Sequence, residues 1–162
     1  MHIRLETCAR VAEIAGAIAV VVSVIYLAVQ INDNTKLLRS QAHFNAINLG
    51  QRPLELMVQN QDLADVVIHC DSDPAAVSAA NWLRCGNYYF MQFNAWEYFY
   101  YQRGDEAIPI ELWNGADAYY RSMVATNAGF GRSWKEIEGT YDEPFRSYVT
   151  EEFRKATASL TN

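Results

Sequence analysis

Residues 14–32 read IAGAIAVVVSVIYLAVQIN, and this stretch decides the class of fold. It contains 19 residues without a charged side chain, and most of them are Ala, Val, Ile or Leu. A helix of this length covers about 28 Å at about 1.5 Å per residue, which is close to the hydrocarbon thickness of a bilayer, about 30 Å. The stretch therefore predicts one N-terminal transmembrane helix.

A signal peptide and a buried core helix both fit this apolar stretch less well. A signal peptide has a shorter apolar region followed by a cleavage site of small residues, whereas residues 27–33 read LAVQIND. A core helix of a soluble domain is seldom apolar on every face over such a length. We therefore favour a single-span membrane protein.

Small residues recur on one face of the predicted span. Ala15, Ala19 and Ser23 follow one another at intervals of four, and Ala12 and Gly16 form a second pair beside them. Small residues let two helix backbones approach closely in lipid, so this face is a candidate for association with another helix. The alternative is that Ala is simply common in membrane helices.

The predicted span carries no ionisable side chain between residues 14 and 31. It therefore offers no group for an ion pathway, a proton relay or axial ligation of a haem or chlorophyll. We predict no cofactor.

Charges around the span do not decide its orientation. Two basic residues lie on each side, namely Arg4 and Arg10 before the span and Lys36 and Arg39 after it. The positive-inside rule is therefore balanced.

The three cysteines are Cys8, Cys70 and Cys85. Their odd number and their spacing do not match a disulfide framework, so we interpret each as a small, buried hydrophobic residue with a free thiol. Free thiols are best tolerated in a reducing compartment. We therefore predict a cytoplasmic C-terminal domain.

The chain after the span is acidic. Residues 40–162 contain 9 Lys and Arg against 16 Asp and Glu, which gives a net charge of −7. Such a domain lacks the positive field that phosphate backbones require, so we predict no nucleic-acid partner.

Helical spacing and helix-ending residues predict an all-α fold with two parts, residues 1–50 and 51–162. The membrane helix should continue as a long helix to Gly50, with Pro53 just beyond. About four further helices are expected as an aromatic-rich bundle: Leu54–Cys70, Pro74 to about Arg103 with Asp73 as N-cap, one from about Pro109, and one from about Glu143 to Leu160. A short turn is expected at Ser133–Ile137.

The segment from Pro74 to about Arg103 is the most aromatic. Trp82, Cys85, Tyr89, Phe93, Trp96 and Tyr100 follow one another at intervals of 3, 4, 4, 3 and 4. Because further aromatic residues lie off that face, we expect this helix to lie centrally. Core packing is the default interpretation, and a protein interface or an apolar pocket is the alternative. The candidate residues for the alternative are Tyr89, Phe93, Trp96, Tyr98, Tyr100 and Tyr101.

No catalytic or metal-binding pattern is specific enough to predict a reaction. Asp62, Asp65, His69 and Cys70 share one predicted helix, but no second helix supplies matching ligands, so a solvated acidic helix end is the better interpretation. No Ser or Cys is accompanied by the pattern of a nucleophile triad. We therefore predict no metal site, no catalytic residue and no enzyme activity.

Two local patterns resemble functional sites but are more typical of ordinary helix structure. Residues 129–132 read GFGR, which invites comparison with a phosphate-binding loop, but they follow a helix rather than a strand and lack the Lys. A helix cap is the better interpretation. Glu97 lies among bulky rings, where burial would raise its pKa, but an ion pair with an arginine such as Arg84 or Arg121, or exposure to water, is more usual.

A series of short motifs extends over nearly the whole chain and begins at residues 13–31 (EIAGAIAVVVSVIYLAVQI). It continues through Asn34-Thr35, Leu38-Arg39, Asn60, Asp62-Leu63-Ala64, Gly104, Leu112-Trp113, Gly131-Arg132-Ser133-Trp134, Phe145 and Tyr148-Val149. The order of these motifs resembles a family of small bacterial single-span proteins. The resemblance implies a helical domain anchored in a bacterial inner membrane, and it implies no particular activity.

These patterns predict a non-enzymatic, membrane-anchored interaction or scaffold protein, or an accessory subunit of a larger membrane complex. The expected partners are membrane lipid and other membrane protein subunits, or a second copy of the chain. The alternative hypothesis is a module that binds an apolar ligand or lipid in an aromatic-lined helical pocket.

Overall fold

A computed structural model describes residues 2–104 and 106–159 of the chain. These residues form six α-helices and one short 3-10 helix, without a strand in the described part. The α-helices are α1 (His2–Gln59), α2 (Gln61–Ser72), α3 (Ala79–Gly104), α4 (Ile110–Thr126), α5 (Ala128–Ile137) and α6 (Phe145–Ser159), and the 3-10 helix is Glu138–Thr140. The predicted all-α fold, with a long apolar N-terminal helix and an aromatic-rich helical region, is confirmed.

The chain divides into two compact units between Ser40 and Gln41, whereas the predicted boundary at residue 50 falls inside α1. In the first unit, α1 contains the one described segment that is long and apolar enough to cross a membrane. Its large apolar side chains are exposed: Ile18, Val22 and Ile25 each retain 59% of their accessible surface. The structure of this unit therefore buries none of its most apolar segment.

Helix α1 continues through the residues that were expected to end it. Gly50 and Pro53 both lie inside α1, so the prediction that they end the helix is wrong. Pro53 is fully buried, and a Cβ atom at residue 50 would approach the Phe99 ring to 3.2 Å. Both residues are thus used for close packing, which compensates for their poor helix propensity.

The next two helices begin later than the sequence predicted. The segment from Leu54 belongs to α1, and α2 begins at Gln61, where the Asn60 side chain accepts a hydrogen bond from the Leu63 N–H at 3.2 Å. Pro74 lies outside α3, because Ser78 caps that helix by accepting from the Asn81 N–H at 3.3 Å. In both cases a cap further along the chain determines where the helix begins.

Helix α5 replaces the cap and turn that were predicted around residues 129–137. Gly129 and Gly131 lie inside this helix, and so does the expected turn. The neighbouring Phe130 stacks on Phe93 of α3 with ring centroids 4.0 Å apart. Aromatic packing therefore holds a glycine-rich segment in a helix that its own propensity would not favour.

The core of the second unit is built around α3, which contacts α2, α4 and α5. Tyr89, Phe93 and Trp96 are fully buried there, and Trp96 stacks on Tyr120 with ring centroids 5.2 Å apart. The expectation that the aromatic helix lies centrally agrees with this arrangement. Aromatic side chains bury large areas, so they supply most of the apolar contact in this small core.

A buried polar network connects α3, α4 and α6. Asp117 accepts a hydrogen bond from Trp96 Nε1 at 3.0 Å and another from the Tyr148 hydroxyl. Beside it, Arg121 Nε lies 2.7 Å from the buried Glu152 carboxylate. Buried charged groups are tolerated when they are paired and hydrogen-bonded, so these contacts fix how the three helices pack.

Two of the three cysteines form a disulfide. The Cys70 and Cys85 sulfur atoms are 2.07 Å apart and join α2 to α3, and both residues are fully buried. Cys8 is free and exposed. The predicted burial holds for the bonded pair and not for Cys8, and the prediction of three free thiols is wrong. The physical reason is that the bond depends on how two helices pack, which the spacing in the sequence does not reveal.

Asp71 lies next to the disulfide and is half-buried. Its Oδ1 accepts a hydrogen bond of 2.5 Å from the Tyr89 hydroxyl. Burial raises the pKa of Asp71 above its ordinary value, although hydrogen bonds from Tyr89 and Asn127 oppose the rise. The ionised form of this carboxyl is therefore disfavoured in the folded state.

The close packing of α5 predicts a large effect at Gly129. A Cβ atom there would stand 2.5 Å from the Cys70 carbonyl oxygen, so Gly129→Ala should lower the free energy of unfolding by about 1–3 kcal/mol. The control is Gly86→Ala in α3, where a Cβ atom meets nothing within 4 Å. That change should stabilise the domain by about 0.5–1 kcal/mol. Urea unfolding followed by tryptophan fluorescence measures both, and equal effects would contradict close packing at Gly129.

The raised pKa of Asp71 predicts a pH-dependent difference in stability. As pH rises above the ordinary value of 3.8, the unfolded carboxyl loses its proton before the folded one does. The contribution of Asp71 to the free energy of unfolding should therefore fall through this interval. Asp71→Asn keeps an acceptor for Tyr89 and removes the charge. The stability of D71N relative to wild type should increase with pH and then level off in denaturation experiments from about pH 3 to 7. A difference that does not change with pH would refute the assignment.

Candidate functional site

The second unit contains an apolar cleft between α1, α3 and α4. Its volume is about 270 Å³. The residues that line it are Ile47, Gly50, Gln51, Phe99, Glu111, Leu112, Gly115, Ala116, Tyr119 and Tyr120. A concave apolar surface with few polar groups is the usual character of a binding site for an apolar ligand or side chain.

Small residues on two helices open this cleft. Gly50 on α1 has no side chain, so the Phe99 ring packs close to the α1 backbone, and Gly115 with Ala116 contributes only small side chains from the facing surface of α4. The buried Phe99 and Tyr120 form part of the lining. The cleft therefore exists because glycine and alanine occupy positions where larger side chains would fill the space.

A largely apolar strip on α1, in which Gln51 is polar and Ile47 is half-buried, adjoins the cleft. We call Phe44, Ile47, Gln51, Leu54 and Val58 the α1 strip; they follow one another at intervals of 3, 4, 3 and 4 and so share one helix face. Ile47 and Gln51 also line the cleft. Phe44 retains 68% of its accessible surface and Val58 retains 87%.

A different face of α1 packs on the domain. Ala42, Ala46 and Pro53 are buried, and the Ala42 carbonyl oxygen accepts a hydrogen bond of 3.5 Å from the Tyr98 hydroxyl of α3. Helix α1 thus packs one face against the domain, and the α1 strip on the other face has no partner in the described structure. Its exposed apolar side chains, Phe44, Leu54 and Val58, share one helix face, and grouped apolar side chains on a surface are typical of interaction sites.

The electrostatics of the cleft do not suggest acid–base chemistry. Glu111 and Gln51 are its exposed polar side chains, and the nearby Arg52 and Glu55 form an exposed ion pair of 3.5 Å. Burial raises the pKa of the Tyr119 hydroxyl, which therefore stays protonated at neutral pH. These groups can accept or donate hydrogen bonds at the edge of an apolar contact.

The six aromatic candidates from the sequence do not form one surface. Tyr89, Phe93, Trp96 and Tyr100 are buried in the core, Tyr98 is half-buried, and Tyr101 is exposed. The four buried rings pack against neighbouring helices, so they are not available to a partner on the surface of the folded domain. An interface built on these candidates is confined to Tyr98 and Tyr101.

The small residues on one face of the apolar segment are all exposed along α1; they are Ala12, Ala15, Gly16, Ala19 and Ser23. The Ser23 hydroxyl donates to the Ala19 carbonyl oxygen at 2.8 Å, which satisfies it within its own helix. A Cβ atom at Gly16 would meet nothing within 4 Å. Association through this face stays a prediction.

Glu97 is half-buried, and neither of its expected arginine partners reaches it. Arg84 pairs with Asp62 at 2.8 Å, and Arg121 pairs with Glu152 at 2.7 Å. Burial and the nearby charge of Asp142 raise the pKa of Glu97. No nucleophile or histidine is described next to it, so the raised pKa alone does not define a reactive site.

The acidic residues of α2 have separate partners. Asp62 pairs with Arg84, Asp65 accepts from the Gln61 side chain at 2.9 Å, and Cys70 is bonded to Cys85. Within residues 2–104 and 106–159, no three His, Cys, Asp or Glu side chains converge as they would to hold a metal ion.

Sequence reasoning missed the α1 strip because it ended the helix at Gly50. Phe44 and Ile47 fall in the predicted long helix to Gly50, whereas Leu54 and Val58 fall in the predicted helix Leu54–Cys70. The intervals of 3 and 4 across residues 44–58 were the available signal, but Gly50 and Pro53 between them predicted that the helix ends. No comparable signal pointed to the cleft, because its lining comes from three helices.

Comparison of the chain with known protein families, curated proteins and solved structures finds no match. This result is consistent with the resemblance to a family without an established activity, and it assigns no function.

Proposed function

We propose that this protein is a non-enzymatic, membrane-anchored interaction protein whose α1 strip and adjoining cleft bind an apolar helix surface. The partner is a subunit of a larger membrane complex or a second copy of the chain. The observation that carries this proposal is the exposure of Phe44 and Val58 on a helix face that continues into the cleft.

The spacing of the α1 strip suits recognition of another helix. Apolar residues at intervals of 3 and 4 form a seam that a second helix can follow, as in helix-in-groove complexes. Burying a Val or Phe side chain contributes about 1.5–3 kcal/mol. The strip and the cleft together therefore offer apolar surface that a partner helix can bury.

Membrane anchoring through residues 14–32 is the second part of the proposal. The exposed apolar side chains of this segment are suited to lipid, and the family resemblance implies a membrane-anchored protein of bacteria. The small face from Ala12 to Ser23 is then free to contact another membrane helix. Anchoring both partners in one membrane raises their effective concentration, so a modest groove suffices for stable association.

The test removes apolar area from the α1 strip without touching the core. Val58→Ser and Phe44→Ser together should release the partner, because they remove two apolar side chains from the strip. The fold should be unaffected, because both side chains are exposed in the isolated domain. The matched control is Leu83→Ser with Ile68→Ser, two exposed apolar residues outside the strip and the cleft. Native mass spectrometry of mildly extracted full-length protein measures the bound mass.

The expected result is loss of partner mass in the strip variant and retention in the control, with unchanged thermal unfolding in both. Retained partner mass in the strip variant, or equal loss in both variants, would refute the proposed interface. A bare wild-type monomer would refute stable association altogether.

A second candidate function is binding of an apolar ligand, such as a lipid tail, in the cleft. Its supporting observation is the apolar lining and the volume of about 270 Å³. Ala116→Phe should fill the cleft and remove a co-purified ligand, whereas Val58→Ser should not, because Val58 does not line the cleft. Solvent extraction followed by mass spectrometry measures the ligand. An empty wild-type protein would exclude this function.

A further inference from the structure

The disulfide indicates on which side of a membrane the second unit lies. We propose that the domain beginning at Gln41 is located in an oxidising compartment, and that Cys8 lies in the reducing compartment across the membrane. The location of the domain is inferred from the Cys70–Cys85 bond. The location of Cys8 is inferred from the apolar segment, which lies between Cys8 and Cys70 in the sequence.

Formation of this bond requires an oxidant. Two thiols lose two protons and two electrons, and a disulfide of a thiol oxidoreductase accepts them by exchange and becomes a dithiol. Such oxidoreductases act in the periplasm or its equivalents, whereas glutathione and thioredoxin systems keep cytosolic thiols reduced. A structural disulfide in the folded domain therefore assigns the domain to the oxidising side.

The burial of both sulfur atoms also indicates that the bond forms before the domain has folded. Cys70 and Cys85 are fully buried between α2 and α3, so an oxidoreductase cannot reach their thiols in the folded domain. Exchange must take place before these helices have packed. The chain accordingly reaches the oxidising compartment unfolded, which is how a polypeptide crosses a membrane behind an apolar segment.

Cys8 has the opposite character. It is exposed and unbonded, and it precedes residues 14–32. One crossing by that segment places Cys8 and the disulfide on opposite sides, and the balanced basic residues around the segment do not oppose this orientation. The placement of Cys8 rests on the proposed membrane crossing, whereas the location of the disulfide does not.

This orientation replaces the cytoplasmic location expected from the sequence, because that expectation depended on free thiols. It also restricts the partner of the α1 strip. A protein that binds there must present its apolar helix surface on the oxidising side, either as the exposed part of a membrane subunit or as a second copy of this chain.

The first arm of the test measures the redox state in cells that make the full-length protein. Thiols are trapped with acid and then alkylated with a maleimide that adds a visible mass for each free thiol. One addition is expected without prior reduction, and three are expected after reduction. The Cys8→Ser variant should give no addition without prior reduction and two additions after reduction. Three additions without reduction would show a reduced pair and would overturn the compartment assignment.

The second arm measures sidedness in intact spheroplasts with a membrane-impermeant maleimide. Cys8 should react only after the membrane is permeabilised. A reporter, Asn114→Cys in a Cys8→Ser background, should react without permeabilisation, because Asn114 is exposed on α4 and does not line the cleft. Labelling of Cys8 in intact spheroplasts, or protection of the reporter, would overturn the orientation.

Alkaline carbonate extraction separates this inference from the proposed function. Retention of the protein in the membrane fraction with an oxidised pair agrees with both. Release into the soluble fraction with an oxidised pair would refute membrane anchoring and the placement of Cys8. It would still agree with an oxidising compartment for the domain. A retained protein with a reduced pair would refute the compartment and leave anchoring standing.

Discussion

The close contact between the second part of α1 and the aromatic helix α3 is the constraint on which the candidate site depends. Gly50 lets the two helices approach until Phe99 fills the place of a side chain, and Pro53 is also buried. Because α1 stays helical through these residues, Leu54 and Val58 remain on the same face as Phe44 and Ile47. A helix that ended at Gly50 would have no continuous strip to offer.

The interior of the domain combines two kinds of contact with different roles. Stacked aromatic rings around Phe93 and Trp96 supply the apolar contact area, and this contact is tolerant of small changes in helix position. The hydrogen bonds to Asp117 and the disulfide between Cys70 and Cys85 are directional, so they select one arrangement of the helices.

The proposed function and the proposed orientation make one consistent protein. On these two proposals, residues 14–32 hold the chain in a membrane, the cross-linked helical domain lies on the oxidising side, and the α1 strip is available to an apolar helix of a partner. The disulfide between Cys70 and Cys85 also stabilises this small domain, mainly by restricting its unfolded chain.

The sequence by itself determined the features that depend on local pattern: the apolar segment, the all-α class, the central aromatic helix, the end of α3 at Gly104 and the start of α4 next to Pro109. These follow from hydrophobic periodicity and helix-ending residues within short windows. Only the tertiary structure decided the helicity of Gly50, Pro53 and Gly129, the pairing of Cys70 with Cys85, and the position of the cleft. Each of these depends on contact between helices that are distant in the chain, and the packing energy of such contacts overrides local propensity.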